Sequence, residues 1–148
     1  MQNNNYTATI TVARSPQDVF KAINSVSNWW SENIDGNSEN LNDVFKVNFG
    51  GDTFVTHQLI ELVPDKKIVW LVTDCWLPWL NDKTEWTNTK MSFEISTENN
   101  STIIRFTHIG LVPELECYES CVKGWDQYVK GSLLKLIKEG KGDPQKKV

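Results

Sequence analysis

Residues 113–138 read PELECYESCVKGWDQYVKGSLLKLIK. At about 100° per residue, Leu115, Tyr118, Val122, Trp125, Val129, Leu133 and Leu136 fall on one stripe, the spacing of an amphipathic helix. Glu116, Glu119, Lys123, Asp126, Lys130 and Lys138 lie on the other side. Pro113 suits a first turn, where its missing N–H is no loss. Glu114 and Glu116 complement the positive end of the helix dipole, Lys135 and Lys138 the negative end. Gly140 reads as the stop. The spacing therefore predicts one continuous helix over Pro113–Lys138, roughly 39 Å long at about 1.5 Å per residue. Gly124 and Gly131 share one flank, and each destabilises a helix interior by about 1 kcal/mol against Ala. Close approach of another backbone is the expected reason; room for a ligand is the sharper alternative. Tyr118, Cys121, Tyr128 and Ser132 form a polar fringe beside the stripe.

Several strand-like runs with turn signals between them lie upstream. Tyr6–Val12 alternates and is rich in Thr, Ile and Val. Ser15 can cap a helix with Pro16 at its first position and Asp18 at the third. Val19, Phe20 and Ile23 then mark a short helix, and Ser25–Trp30 a second. Ser31–Leu41 is polar and reads as a loop. Strands are expected over Asp43–Phe49, Thr53–Val63, Ile68–Cys75, Thr84–Thr97 and Thr102–Gly110. Gly50-Gly51-Asp52, Pro64–Lys67 and Glu98–Ser101 turn between them, and Trp76–Lys83 is an aromatic loop around Pro78. Hairpin-linked strands followed by one long helix specify an α+β domain with an antiparallel sheet.

The 148 residues predict a single domain, with 1–5 and 141–148 as flexible tails. A net charge of −4 and a pI near 5.2 argue against a nucleic-acid surface. No stretch approaches the length of a membrane span, and the polar opening MQNNN has no secretory pattern. Cys75, Cys117 and Cys121 are an odd set, expected to be reduced thiols in a cytoplasm. Cys117 and Cys121 sit four apart on the helix, expected to point outward in poor disulfide geometry. Seven tryptophans are a heavy load for one domain and suggest a cavity wall or an interface.

The ordered set of residues resembles the START-like superfamily, also called SRPBCC or Bet v-like. Within it the chain is similar to the homologues of the activator of the heat-shock-protein ATPase, in their small bacterial single-domain form. The matching residues include Asp18-Val19-Phe20, Trp29-Trp30, Val69-Trp70 with Asp74, Glu85-Trp86 with Thr89, and Phe93-Glu94. They continue through Phe106-Thr107-His108, Gly110-Leu111, Glu116-Cys117-Tyr118, Cys121, Gly124-Trp125, Tyr128, Ser132-Leu133 and Gly140-Lys141-Gly142. The resemblance implies a helix-grip fold, in which a curved antiparallel sheet wraps around a long C-terminal helix. It also implies a ligand cavity between them.

That cavity is expected to be bounded by Trp70, Asp74, Trp79, Trp86, Phe106, His108, Tyr118, Cys121, Trp125 and Tyr128. His108 shares its strand face with Ile104 and Phe106, and Asp74 alternates with Trp70 and Val72, so both should face inward. A lone histidine on an apolar face is more often a satisfied core residue than a functional one. For metal, His108, Cys117 and Cys121 fall short of the four ligands of a structural zinc site, and none is expected. No cofactor is expected, and there is no nucleophile elbow, phosphate loop, dinucleotide fingerprint or HExxH. The reading is a non-catalytic binding domain for a small apolar or aromatic molecule. A co-chaperone-like module that binds a chaperone or other protein is the alternative. The family's eukaryotic activators carry an additional domain that is not in these residues, which sets that reading second. A cyclase- or dehydratase-like enzyme is third, since it would need His108 and Asp74 poised together.

Overall fold

The computed structural model describes residues 5–147. Seven strands form one antiparallel sheet in the order β1-β7-β6-β5-β4-β3-β2. They are β1 (Tyr6–Val12), β2 (Ile34–Gly36), β3 (Val44–Asn48), β4 (Phe54–Val63), β5 (Lys67–Trp76), β6 (Lys90–Glu98) and β7 (Ser101–Ile109). Two short helices, α1 (Pro16–Asn24) and α2 (Val26–Trp29), follow β1. Ser15 accepts a hydrogen bond from the Asp18 amide at 3.1 Å, the cap its position predicts. The C-terminal helix crosses the concave face as α3 (Tyr118–Trp125), a π-helical stretch (Asp126–Leu133) and α4 (Leu134–Glu139). This is the α+β helix-grip architecture.

Three elements differ from the sequence reading, each for a tertiary reason. The helix starts at Tyr118, not Pro113. Residues 113–117 are turns instead, and the first helical bond runs from the Cys121 amide to the Cys117 carbonyl at 2.8 Å. Glu116 is engaged elsewhere: its carboxylate accepts from the Asn81 amide at 2.8 Å, and its own amide donates to Glu85 at 3.3 Å. These two bonds tie the helix start to the aromatic loop and to the turns that follow it. Strand β6 begins at Lys90, not Thr84, because residues 84–89 form tight turns closed by Thr87 N to Thr84 O and Thr89 N to Trp86 O. The polar stretch before β3 contains an edge strand, β2, pairing Ile34–Gly36 with Phe45–Val47.

The π-helical stretch has a packing consequence. Trp125, Val129, Leu133 and Ile137 are all buried at strict four-residue spacing. On an α-helix four residues overshoot a full turn by about 40°, so this row would spiral off the sheet. Widening the turns keeps it in line. Ile137 thereby takes the inward place that simple periodicity assigns to Leu136, which is only half-buried.

Behind the helix lies an aromatic core. Trp70 stacks on Trp29 and Trp30, with centroids 6.2 and 5.9 Å away, and meets Phe45 and Phe93 at 5.0 and 4.9 Å. Residues 141–147, expected as a free tail, are instead paired. Gln145 bridges to Ser31, its amide donates to the Trp30 carbonyl at 2.8 Å, and its carbonyl accepts from the Glu32 amide at 2.9 Å. Gly142 permits this: a Cβ there would lie 2.6 Å from the Asn28 oxygen and 2.9 Å from that of Ser132. At the other end, residues 1–4 lie outside the described residues. Asn5 is held by its side-chain oxygen, which accepts from the Gly110 amide at 3.0 Å.

Candidate functional site

A cleft of about 150 Å³ opens between the helix, the sheet and the aromatic loop. Ser120, Cys121, Gly124, Trp125 and Tyr128 form its helix wall. Val55, Phe49 and Trp86 close the sheet side, Leu77 and Trp79 the loop side, and Trp30 the floor towards α2. Almost all of the exposed lining is apolar, and the side-chain polar groups along it include the Cys121 thiol and the Ser120 and Tyr128 hydroxyls.

Each wall has a local cause. The loop folds back because Leu77 and Leu80 are buried and Leu77 N donates to Lys83 O at 2.8 Å. Glu116 and Glu85 then hold it against the helix start. Trp79 is left 57 % exposed at the mouth. On the helix, a Cβ at Gly124 would meet nothing within 4 Å. Close backbone approach is therefore not the reason for this glycine; its missing side chain leaves the flank of the cleft open. The close approach in this region is made by Gly142.

The ring nitrogens of His108, behind the wall, are consumed internally. Trp125 Nε1 donates to His108 Nδ1 at 3.0 Å, which leaves the proton of the neutral ring on Nε2. Nε2 in turn lies 2.9 Å from Thr89 Oγ1, whose hydroxyl donates to the Trp86 carbonyl at 2.7 Å. This chain of bonds fixes Trp125 and Trp86, which stack at 6.0 Å. Burial lowers the His108 pKa to about 3, so the imidazole stays neutral. His108 is thus a satisfied core residue that orients two wall tryptophans.

The ten side chains expected around a cavity are distributed as follows. Trp79, Trp86, Cys121, Trp125 and Tyr128 wall the cleft. Trp70, Phe106 and His108 are fully buried one layer behind it. Tyr118 is half-buried near Tyr6, which donates a short hydrogen bond to Asp126. Asp74 is exposed and does not face inward. The reason is a bulge: Thr56 pairs with Asp74 but His57 pairs with Val72, so Thr73 is the extra residue and the alternation flips after it. The cyclase-like pairing of His108 with Asp74 is therefore not assembled. Trp30, Phe49, Val55, Leu77 and Ser120 were missed. The paired tryptophans at 29–30 and the WLPWL run were the available signals.

The thiols depart from expectation too. All three cysteines are free, but Cys117 and Cys121 do not point outward. Cys117 is buried and accepts from Trp86 Nε1 at 3.3 Å, while Cys121 borders the cleft. The neighbouring Cys121 thiol holds Cys117 below the usual thiol range against the opposing effect of burial, with the indole N–H assisting. The same pairing and burial push Cys121 well above that range. Cys75 lies elsewhere, 3.5 Å from Thr87 Oγ1. Among the described residues no three His, Cys, Asp or Glu side chains group as a metal site. No helix among them is long and apolar enough to cross a membrane.

Comparison with known proteins returns one family model, described as Activator of Hsp90 ATPase homolog 1-like protein, matching residues 13–138. No curated protein matches the chain. Among solved structures, the Aha1 dimer from Colwellia psychrerythraea is similar at 24 % identity and a TM-score of 0.74, over 93 % of this chain and 98 % of that one. A Staphylococcus saprophyticus protein is similar at 10 % identity and 0.68, over 94 % and 95 %. One from Mesorhizobium loti is similar at 15 % identity and 0.66, over 89 % and 96 %. At these identities the likeness is one of fold.

Proposed function

The chain belongs to the family of Activator of Hsp90 ATPase homolog 1-like proteins, within the SRPBCC or START-like superfamily, and from that premise we propose that it binds one small apolar or aromatic molecule without changing it chemically. The observation that carries this reading is the cleft beside Gly124, walled by aromatic and aliphatic side chains. Pockets built to hold a ligand have this character, a mostly apolar lining with few polar groups. The size narrows the guest. An apolar cavity of about 150 Å³ accommodates a single benzene-sized ring, whereas drug-sized ligands need roughly 300 Å³ or more. The free thiols suit a reducing cytoplasm.

Titration with a fluorescent apolar probe tests the reading, with native mass spectrometry of freshly purified protein to identify a resident guest. Wild type is expected to bind about one equivalent of probe, and Cys121→Trp to block binding by filling the cleft. No binding by wild type, or undiminished binding by Cys121→Trp, overturns the reading. A second reading, a surface for a protein partner such as a chaperone, draws on the exposure of Trp76 and Trp79, at 39 % and 57 %. Trp76→Ser, which lies outside the cleft lining, separates the two, because that reading requires loss of partner binding with the cleft still occupied by probe.

A further inference from the structure

We propose that Cys117 and Cys121 form a dithiol site that captures a trivalent arsenical bearing one apolar substituent, with the substituent seated in the cleft; this rests on the cleft reading above. The Cys121 amide bonds the Cys117 carbonyl at 2.8 Å, so the two residues are one helical turn apart. Their Cβ atoms are then about 5–6 Å apart on one face. Both thiols converge on the Trp86 indole: Cys117 accepts its N–H at 3.3 Å, and Cys121 borders the cleft beside it. One thiol is therefore held behind the wall and the other in it.

Ligand number and charge select the chemistry. Zinc takes three or four protein ligands, and no third His, Cys, Asp or Glu joins this pair in a metal-binding group among the described residues. Inorganic trivalent arsenic would also leave one of its three positions unfilled. An arsenical with one carbon substituent needs two sulfurs and brings its own third group. The bent bridge it forms suits thiols one helical turn apart on one face, unlike the linear bridge of a two-coordinate soft cation. Charge points the same way. Glu85 lies beside Cys117 and has one buried carboxylate oxygen without a hydrogen-bond partner among the described residues. A neutral product is favoured there over an anionic bis-thiolate complex.

With phenylarsine oxide the step balances. The two bonds from arsenic to oxygen break as two As–S bonds form, and the oxygen leaves with both thiol protons as one water. Arsenic stays trivalent, and nothing is oxidised or reduced. Cys121, which borders the cleft, meets the arsenical first, and Cys117 behind it closes the ring.

The test is intact-protein mass spectrometry of the full chain with phenylarsine oxide, followed by challenge with excess monothiol or dithiol. Wild type should carry one equivalent that survives monothiol and is removed by dithiol. Cys117→Ser and Cys121→Ser should each lose the monothiol-resistant adduct, while Cys75→Ser should keep it. Arsenite, which has no ring for the cleft, should be retained at least tenfold less well. Thermal melts of the variants, Cys121→Ser above all because its side chain is only half-buried, separate loss of the site from loss of the fold. A resistant adduct in both single variants, or arsenite held as well as phenylarsine oxide, overturns the proposal. Wild type that binds the apolar probe yet forms no resistant adduct overturns the dithiol site alone. A resistant adduct without probe binding overturns the cleft reading instead.

Discussion

Lowering the pH from 7 to 5 should destabilise this protein through its two histidines. Both are fully buried. His108 spends its ring nitrogens on Trp125 and Thr89. His57 lies 4.6 Å from Phe45 in a stacked pair, with Trp30 and Trp70 edge-on at 5.2 and 5.6 Å. Among the described residues neither of its ring nitrogens has a hydrogen-bond partner of good geometry. Burial lowers both pKa values to about 3, while an unfolded histidine titrates near 6.5. Between those limits the unfolded chain binds more protons than the folded one, so stability rises with pH. It is fully present above about pH 6.5 and is lost as the pH falls towards 3. At about 1.36 kcal/mol per pKa unit, each histidine removes about 2 kcal/mol between pH 7 and 5, and the pair about 4. That is a large share of the roughly 5–15 kcal/mol of an ordinary domain. Urea unfolding followed by tryptophan fluorescence measures it. His57→Phe replaces one stacked ring by another and should leave a loss of about 2 kcal/mol over the same interval. Stability that stays flat from pH 7 to 5, or a slope that His57→Phe leaves unchanged, refutes the argument.

Trp125→Ala should lower stability by about 3–5 kcal/mol in the same assay, because the indole is core as well as wall. Trp125→Phe keeps an aromatic ring but strands His108 Nδ1, and the cost should be about 1–3 kcal/mol. Gly124→Leu should abolish probe binding with little change in the urea midpoint, since the added side chain enters open space on a helix. Gly142→Ala should cost about 1–3 kcal/mol and loosen residues 141–147, detectable as faster amide exchange at Gln145, because its Cβ would press on the Asn28 and Ser132 oxygens.

The fold class was legible because its signals are local. Alternation in Tyr6–Val12, the Ser15–Asp18 cap and the periodic apolar stripe from Tyr118 onward each depend on residues a few positions apart. The same holds for the general make-up of the site, since a heavy load of tryptophan beside a glycine-bearing helix already suggests an aromatic wall. Which aromatic faces the cleft was decided by contacts between residues far apart in the chain. The bulge at Thr73 turns Asp74 outward, and turns rather than strand at 84–89 aim Trp86 at Cys117. Glu116 is drawn to Asn81 instead of extending the helix, and widened turns exchange Leu136 for Ile137. A one-residue slip in a strand inverts every later side chain, and an added fraction of a turn rotates a helix face. Periodicity carries no record of either until packing against the other elements selects it.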